Sequence, residues 1–133
     1  MSDKLASVVL DSEGLAAWIR RDRPVMAMLR EFHDSDVELV VCANTIVEVT
    51  HAKVDRPRLD WLLSQVRVEP VTKQSARTAA KILAEARLHG HEHAIDATVA
   101  ETALRQITPA GMLTSDLDDM RKLCGRRIHL IRV

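Results

Sequence analysis

Apolar runs too short to make helices recur along this chain, separated by stretches with helical spacing. Val8-Val9-Leu10, Leu39-Val40-Val41-Cys42-Ala43, Met112-Leu113-Thr114 and Ile128 to Ile131 are such runs. They carry no 3.6-residue period and read as buried strands. Val66 to Val71 alternates, and Pro70 cannot donate to a ladder, so it reads as an edge strand. Helical spacing starts at Glu13 to Arg20, with Leu15, Ala16 and Ile19 inward, and resumes from Pro24 with Val25, Met28, Leu29 and Phe32. Asn44 or Thr45 is expected to cap a helix through Lys53, with Ile46, Val47 and Val49 largely buried. Arg56-Pro57 interrupts, and Leu59 to Val66 makes another short helix. Further helices are predicted over Thr72 to Leu88, Ala94 to Gln106 and Leu117 to Leu123, with His89 to His93 a connection around Gly90. Strands alternating with helices predict an α/β fold, a three-layer sandwich whose parallel sheet of about five strands is covered on both faces. In such sheets ligands collect beyond the carboxyl ends of the strands.

The 133 residues suit one domain, 1–133, large enough to fold without a metal or disulfide staple. Lys plus Arg and Asp plus Glu both number 19, which excludes a strongly basic nucleic-acid coat but not a local charged site. Two Trp, one Phe and no Tyr leave too few stacking platforms for a single-strand binder that works through its aromatics. The two cysteines, Cys42 and Cys124, lie among apolar residues and read as core thiols rather than a disulfide or zinc motif. No apolar run approaches the ~20 residues of a membrane span. Met1-Ser2-Asp3-Lys4 shows no cleavage pattern, so the expected location is cytoplasmic and no membrane partner is expected.

Acidic residues stand at the ends of these elements. Asp11 directly follows the first strand, Asp116 follows Met112 to Thr114, Glu48 lies early in the helix after the second strand, and Asp96 early in the helix after the histidines. In a parallel sheet Asp11, Glu48 and Asp116 gather at the carboxyl edge, and Asp96 joins them if its helix starts there. Each has an ordinary alternative. Asp11 and Asp116 suit helix N-caps, Thr45-Ile46-Val47-Glu48 matches a capping box, and Asp96 suits a helix dipole. Asp118 and Asp119 read as solvated acids. Yet Glu48 and Asp96 are flanked by apolar residues, and converging carboxylates raise one another's pKa unless something cationic intervenes. A hard divalent cation, Mg²⁺ or Mn²⁺, resolves that conflict and can serve phosphodiester hydrolysis.

Val8-Val9-Leu10-Asp11-Ser12, then Val47-Glu48-Val49, Ala94-Ile95-Asp96-Ala97 and Leu113-Thr114-Ser115-Asp116-Leu117-Asp118-Asp119 together resemble the PIN-domain ribonucleases, in particular the small VapC-type toxins of toxin–antitoxin pairs. The resemblance spans essentially the whole chain and implies a PIN-like fold. It also implies Mg²⁺- or Mn²⁺-dependent endoribonuclease activity leaving a 5′-phosphate and a 3′-hydroxyl. Asp11, Glu48, Asp96 and Asp116 carry over as the acidic quartet. Asp11 and Asp96 are the preferred metal ligands, and Glu48 binds metal or positions the attacking water. Asp116 completes the site, and Asp119, one turn on, is a fifth candidate for the metal. Thr114 can hold a carboxylate or a water, or be structural only. Two features depart from the pattern. Glu13-Gly14 adds a charge and weakens the first helical turn by about 1 kcal/mol relative to Ala. His89, His91 and His93 precede Asp96, as transition-metal ligands or as a polar connection.

An RNA substrate also needs cations. Arg20, Arg21 and Arg23 form one group and Lys53, Arg56 and Arg58 another; either set can bind phosphates or be a solvated surface. The resemblance implies a cognate antitoxin placing a helix or tail in an apolar groove between the first two helices and Leu59 to Val66, walled by Met26, Met28 and Trp61 or leaving them as core. It also makes a homodimer an expectation. The competing readings are a non-catalytic PIN-like interaction module, a phosphoacceptor or phosphatase-like protein with Asp11 as nucleophile, disfavoured because no convincing DxD follows it, and a metal binder built on the three histidines.

Overall fold

A computed structural model describes residues 4–133, so the Met1-Ser2-Asp3 part of the N-terminal reading lies outside the described residues. The chain runs β1 (Ser7–Leu10), α1 (Ser12–Ile19), α2 (Arg23–Asp34), β2 (Glu38–Cys42), α3 (Ala43–Val49), α4 (Arg56–Leu63), β3 (Arg67–Glu69), α5 (Lys73–Glu85), α6 (Gly90–Leu104), β4 (Ala110–Thr114), α7 (Leu117–Cys124) and β5 (Ile128–Arg132). The five strands form one sheet in the order β3-β2-β1-β4-β5. Every pairing is parallel, with Leu10 opposite Val41 on one side and Leu113 on the other. The strand order reverses direction at β1, so the switch point where parallel sheets open a crevice lies at its carboxyl end. The residue there is Asp11.

Helices cover both faces, as the alternation of elements predicts. The two-residue period of β1 sends Val8 and Leu10 into a core with Leu15, Leu29, Leu59 and Leu62 of α1, α2 and α4. Val9 faces the other core, with Ala97, Ala100 and Ala103 of α6 and Met120 of α7. Each fully buried aliphatic side chain contributes about 1.5–3 kcal/mol relative to exposure. Both cysteines are buried and free, and burial pushes the Cys124 thiol up to about 12, so it packs as an inert core group. Among the described residues no helix is long and apolar enough to cross a membrane.

Several local expectations give way to specific contacts. Helix α3 stops at Val49 rather than Lys53, because Thr50 leaves helical geometry while its hydroxyl donates to the Ile46 carbonyl at 2.6 Å. Val47 is 70% exposed, not buried. The capping box does not form: Cys42 is the cap position without a side-chain bond, and the buried Thr45 hydroxyl has no hydrogen-bond partner. Arg56-Pro57 starts a helix instead of interrupting one. Asp55 accepts from the Arg58 N–H, and Pro57 occupies the first turn, where its missing donor costs nothing. The His89–His93 segment is helical from Gly90, broken only at His93 (φ −122°, ψ 15°). Three helices close on a left-handed residue that is charged rather than glycine: Arg21 after α1, Asp36 after α2 and Arg87 after α5. After α1, the Asp22 N–H donates to the Ala17 carbonyl and the Arg21 N–H to Trp18, satisfying the last carbonyls.

Candidate functional site

Asp11 caps α1 and is only 4% exposed. One carboxylate oxygen accepts from the Ser12 N–H at 2.8 Å, the other from the Thr114 hydroxyl at 2.8 Å. Thr114 ends β4, is fully buried, and its oxygen accepts the Asp116 N–H at 3.0 Å. This one hydroxyl therefore ties the ends of β1 and β4 to the start of α7. The contact depends on close approach of α1 to β4. A Cβ on Gly14 would lie 3.0 Å from the Leu113 carbonyl oxygen, so the glycine that weakens the helix is what admits the strand.

The acids named from the sequence come within electrostatic reach of one another. Burial pushes the Asp11 carboxyl above its ordinary range, Asp96 and Asp116 push it further, and the Thr114 and Ser12 bonds oppose them. The Glu48 carboxyl is also raised, first by partial desolvation and then by Asp11 and Asp96, although the residue is exposed. It stands in the last turn of the short α3, not the first turn of a long helix. Asp116 caps α7, accepts the Asp119 N–H at 3.4 Å, and is raised by burial, then by Asp119 and Asp96. The capping roles of Asp11 and Asp116 thus coexist with membership of the cluster.

Asp96 and Asp119 meet through His93, whose Nδ1 is 3.1 Å from one carboxylate and 3.7 Å from the other. Their hydrogen bonding and charge raise its pKa, the Asp96 bond foremost. Lys122 approaches Asp119 at 3.9 Å. His89 and His91 are exposed and make no such contact, so the histidines do not act as a trio. The i,i+3 spacing of His93 and Asp96 is the signal in the sequence for this contact, hidden when the segment is read as a loop. Asp118 stands outside the cluster.

Among the described residues no Lys, Arg or His lies within ion-pair distance of Asp11, Glu48 or Asp116. No three His, Cys, Asp or Glu side chains among them already close around one point as a ligand set. What the edge offers is hard oxygen donors carrying uncompensated charge, one of them buried. That donor chemistry fits a cation of the Mg²⁺ type, which keeps several waters and needs only a few carboxylates.

The basic groups divide. Arg58 is engaged within the fold: its guanidinium donates to the Trp18 and Ile19 carbonyls at 2.7 and 2.8 Å, capping α1. Arg23 lines a separate depression with Met26 and Arg30. Arg20, Arg21 and Lys53 border the cleft that holds Glu48. A groove of about 360 Å³ between α2 and α4 is lined by Trp18, Met26, Leu29 and Trp61, the last 57% exposed. Met28 is not in its wall but lines another depression with Leu5 and Phe32.

No family model matches this sequence, and no curated protein matches it. Solved structures do match in fold. A chain of the crystal structure of VapBC2 from Rickettsia felis, bound to a DNA fragment from their promoter, superposes with a TM-score of 0.72. The match covers 96% of this chain and 98% of that one at 13% identity. The five-stranded parallel sheet between helices is thus a PIN-like α/β fold similar to that of the VapBC2 chain.

Proposed function

We propose that this protein is a metal-dependent endoribonuclease and the toxin of a toxin–antitoxin pair. The observation that carries the reading is the buried Asp11 carboxylate at the switch point of the sheet, faced by Asp96, Asp116 and Glu48, with no Lys, Arg or His among the described residues within ion-pair distance of Asp11, Asp116 or Glu48. Asp11 and Asp96 would hold Mg²⁺ or Mn²⁺, with Asp116 and Asp119 completing its surroundings. When bound, the ion supplies the positive charge that keeps these carboxylates ionised and offsets negative charge developing on a phosphoryl group.

The chain's own residues have separate tasks. Thr114 fixes the rotation of the Asp11 carboxylate. His93 holds Asp96 and Asp119 at a common spacing. Glu48, raised above the usual carboxylate range, is a better proton acceptor near neutrality and takes the proton of the attacking water. The water oxygen bonds to phosphorus, the P–O3′ bond breaks, and the 3′ oxygen takes a proton from solvent. One fragment leaves with a 5′-phosphate and the other with a 3′-hydroxyl.

The groove between α2 and α4 suits the apolar face of an antitoxin segment: Met26 and Trp61 offer an adaptable and a broad apolar surface there. The chain of similar fold belongs to VapBC2 bound to promoter DNA, a likeness that supports a partnered toxin here.

The test is cleavage of labelled RNA by the purified full chain with Mg²⁺, Mn²⁺ or EDTA, followed by end-group analysis. Cleavage that needs the ion, leaves 5′-phosphates and disappears in Asp96→Asn is the expected result. Undiminished cleavage by Asp96→Asn, or none with either ion, rejects it.

A further inference from the structure

The cleft beside the acidic site is lined by both acidic and basic side chains. It holds about 600 Å³, a volume typical of small-molecule sites, and opens between α1 and the segment that follows α3. Glu13 and Glu48 form the rim nearest Asp11, and every charge acting on Glu48 strongly enough to shift it is acidic. Ile19, Val49 and Val54 line its apolar surface. Arg20, Arg21 and Lys53 line it too, together with His51 and Asp55. Arg20 and Lys53 stand far apart in the chain, so folding brings them together. Of the three, only Arg21 has an acid within ion-pair distance among the described residues, Asp55 at 3.9 Å between two largely solvated side chains.

Arg20 and Lys53, with no acid within ion-pair distance among the described residues, together with Ile19, Val49 and Val54 suit a ligand that carries negative charge and apolar area next to it. We infer that this cleft seats the RNA strand flanking the scissile bond, with Arg20, Arg21 and Lys53 on its backbone phosphates and a ribose or base against Ile19, Val49 and Val54. The inference rests on the ribonuclease reading and adds the path of the substrate away from the acids. Arg21 has a φ of 62°, a backbone that glycine favours and that Asp36 and Arg87 share, so Arg21→Gly removes the side chain without straining the turn. Asp36 has the same backbone at φ 61°, just before β2 and so at the opposite edge of the sheet, which makes it the natural control.

The experiment is fluorescence anisotropy of a labelled single-stranded RNA oligonucleotide with the full chain in EDTA, across a salt series, with melting temperatures recorded in parallel. Arg21→Gly should melt higher yet bind RNA several-fold more weakly, whereas Asp36→Gly should melt higher and bind as the wild type does. The double variant Arg20→Ala/Lys53→Ala should lose about tenfold or more in affinity, and its salt slope should fall by about 0.7 for each phosphate contact removed. Wild-type affinity and slope in both cleft variants, with RNA cleavage retained, would overturn the cleft assignment and leave the ribonuclease reading standing. A wild-type chain that neither binds nor cleaves RNA sinks both. A purely structural Arg21, paired to Asp55 for stability, would instead make Arg21→Gly melt lower without changing affinity. An acidic peptide that binds the wild type as tightly as the RNA, and loses affinity in the same variants, would assign the cleft to a protein segment and overturn the proposal.

Discussion

The Asp11 carboxylate accepts hydrogen bonds only from neutral donors and faces other acids, so its ionisation works against folding. An acid whose folded pKa lies above its unfolded value of 3.8 binds its proton more tightly when folded. Stability therefore falls as pH rises from 3.8 through the folded value, and the loss is complete only above it. Asp11→Asn in EDTA should melt at or above the wild type with a flatter pH dependence above 3.8, while losing RNA cleavage and the stabilisation that added Mg²⁺ gives the wild type. His93 runs the other way. Its raised pKa makes its pairing with Asp96 stabilising below about 6.5, and this is lost as pH climbs through the folded value. His93→Gln should remove that decline in melting scans and lower cleavage, and His89→Ala/His91→Ala should change neither. Glu48→Gln should slow turnover by ~10²–10⁴-fold, the usual contribution of a positioned proton acceptor, with little change in stability. Away from the site, Thr45→Val keeps the shape of a buried side chain and removes an unpartnered hydroxyl. It should stabilise the fold by about 1–3 kcal/mol in denaturant titrations.

Two short helices show how an element can be legible in its place and not in its surroundings. Helix α1 begins where the sequence predicts, but nothing in Gly14 alone reveals that its missing side chain lets the Leu113 backbone approach. Gly14→Ala gains about 1 kcal/mol of helix propensity and forces Leu113 aside. Against an overpacking cost of about 1–3 kcal/mol the net effect should be a loss of up to about 2 kcal/mol, with cleavage reduced as Asp11 and Thr114 separate. The apolar Ile46, Val47 and Val49 predict a longer and more buried α3 than the fold contains. The Thr50 hydroxyl ends it early, a local competition that hydrophobic spacing does not register. The reverse holds at Gly90-His91-Glu92-His93, where glycine and polar side chains suggest a connection. Gly90 to Glu92 form a helical turn of their own, separated by the kink at His93 from the helix that runs on through Leu104. The positions of Asp11 and Asp116 are legible because strand ends in a parallel sheet share an edge, and Asp96 joins them because its helix starts at that edge. The bridge by His93 and the diversion of Arg58 to the end of α1 are not, since both depend on side-chain contacts across elements.

At the scale of the whole molecule, the alternation of strands and helices predicts the layers. The strand order is a tertiary result, and it places β1 between β2 and β4 and so puts Asp11 at the middle of the sheet's edge. The acids come from both sides of that sheet. Asp11 and Glu48 belong to segments packed on the Leu15–Leu29–Leu62 core, whereas Asp96 and Asp119 belong to helices packed on the Ala97–Met120 core. Their mutual repulsion consequently acts as a wedge at the seam where the two halves of the sandwich meet. Any charge that quenches it should behave like a bolt through all three layers. Amide exchange would then slow in α1 and in α6 and α7 together when Mg²⁺ is added, although these helices line opposite walls of the protein.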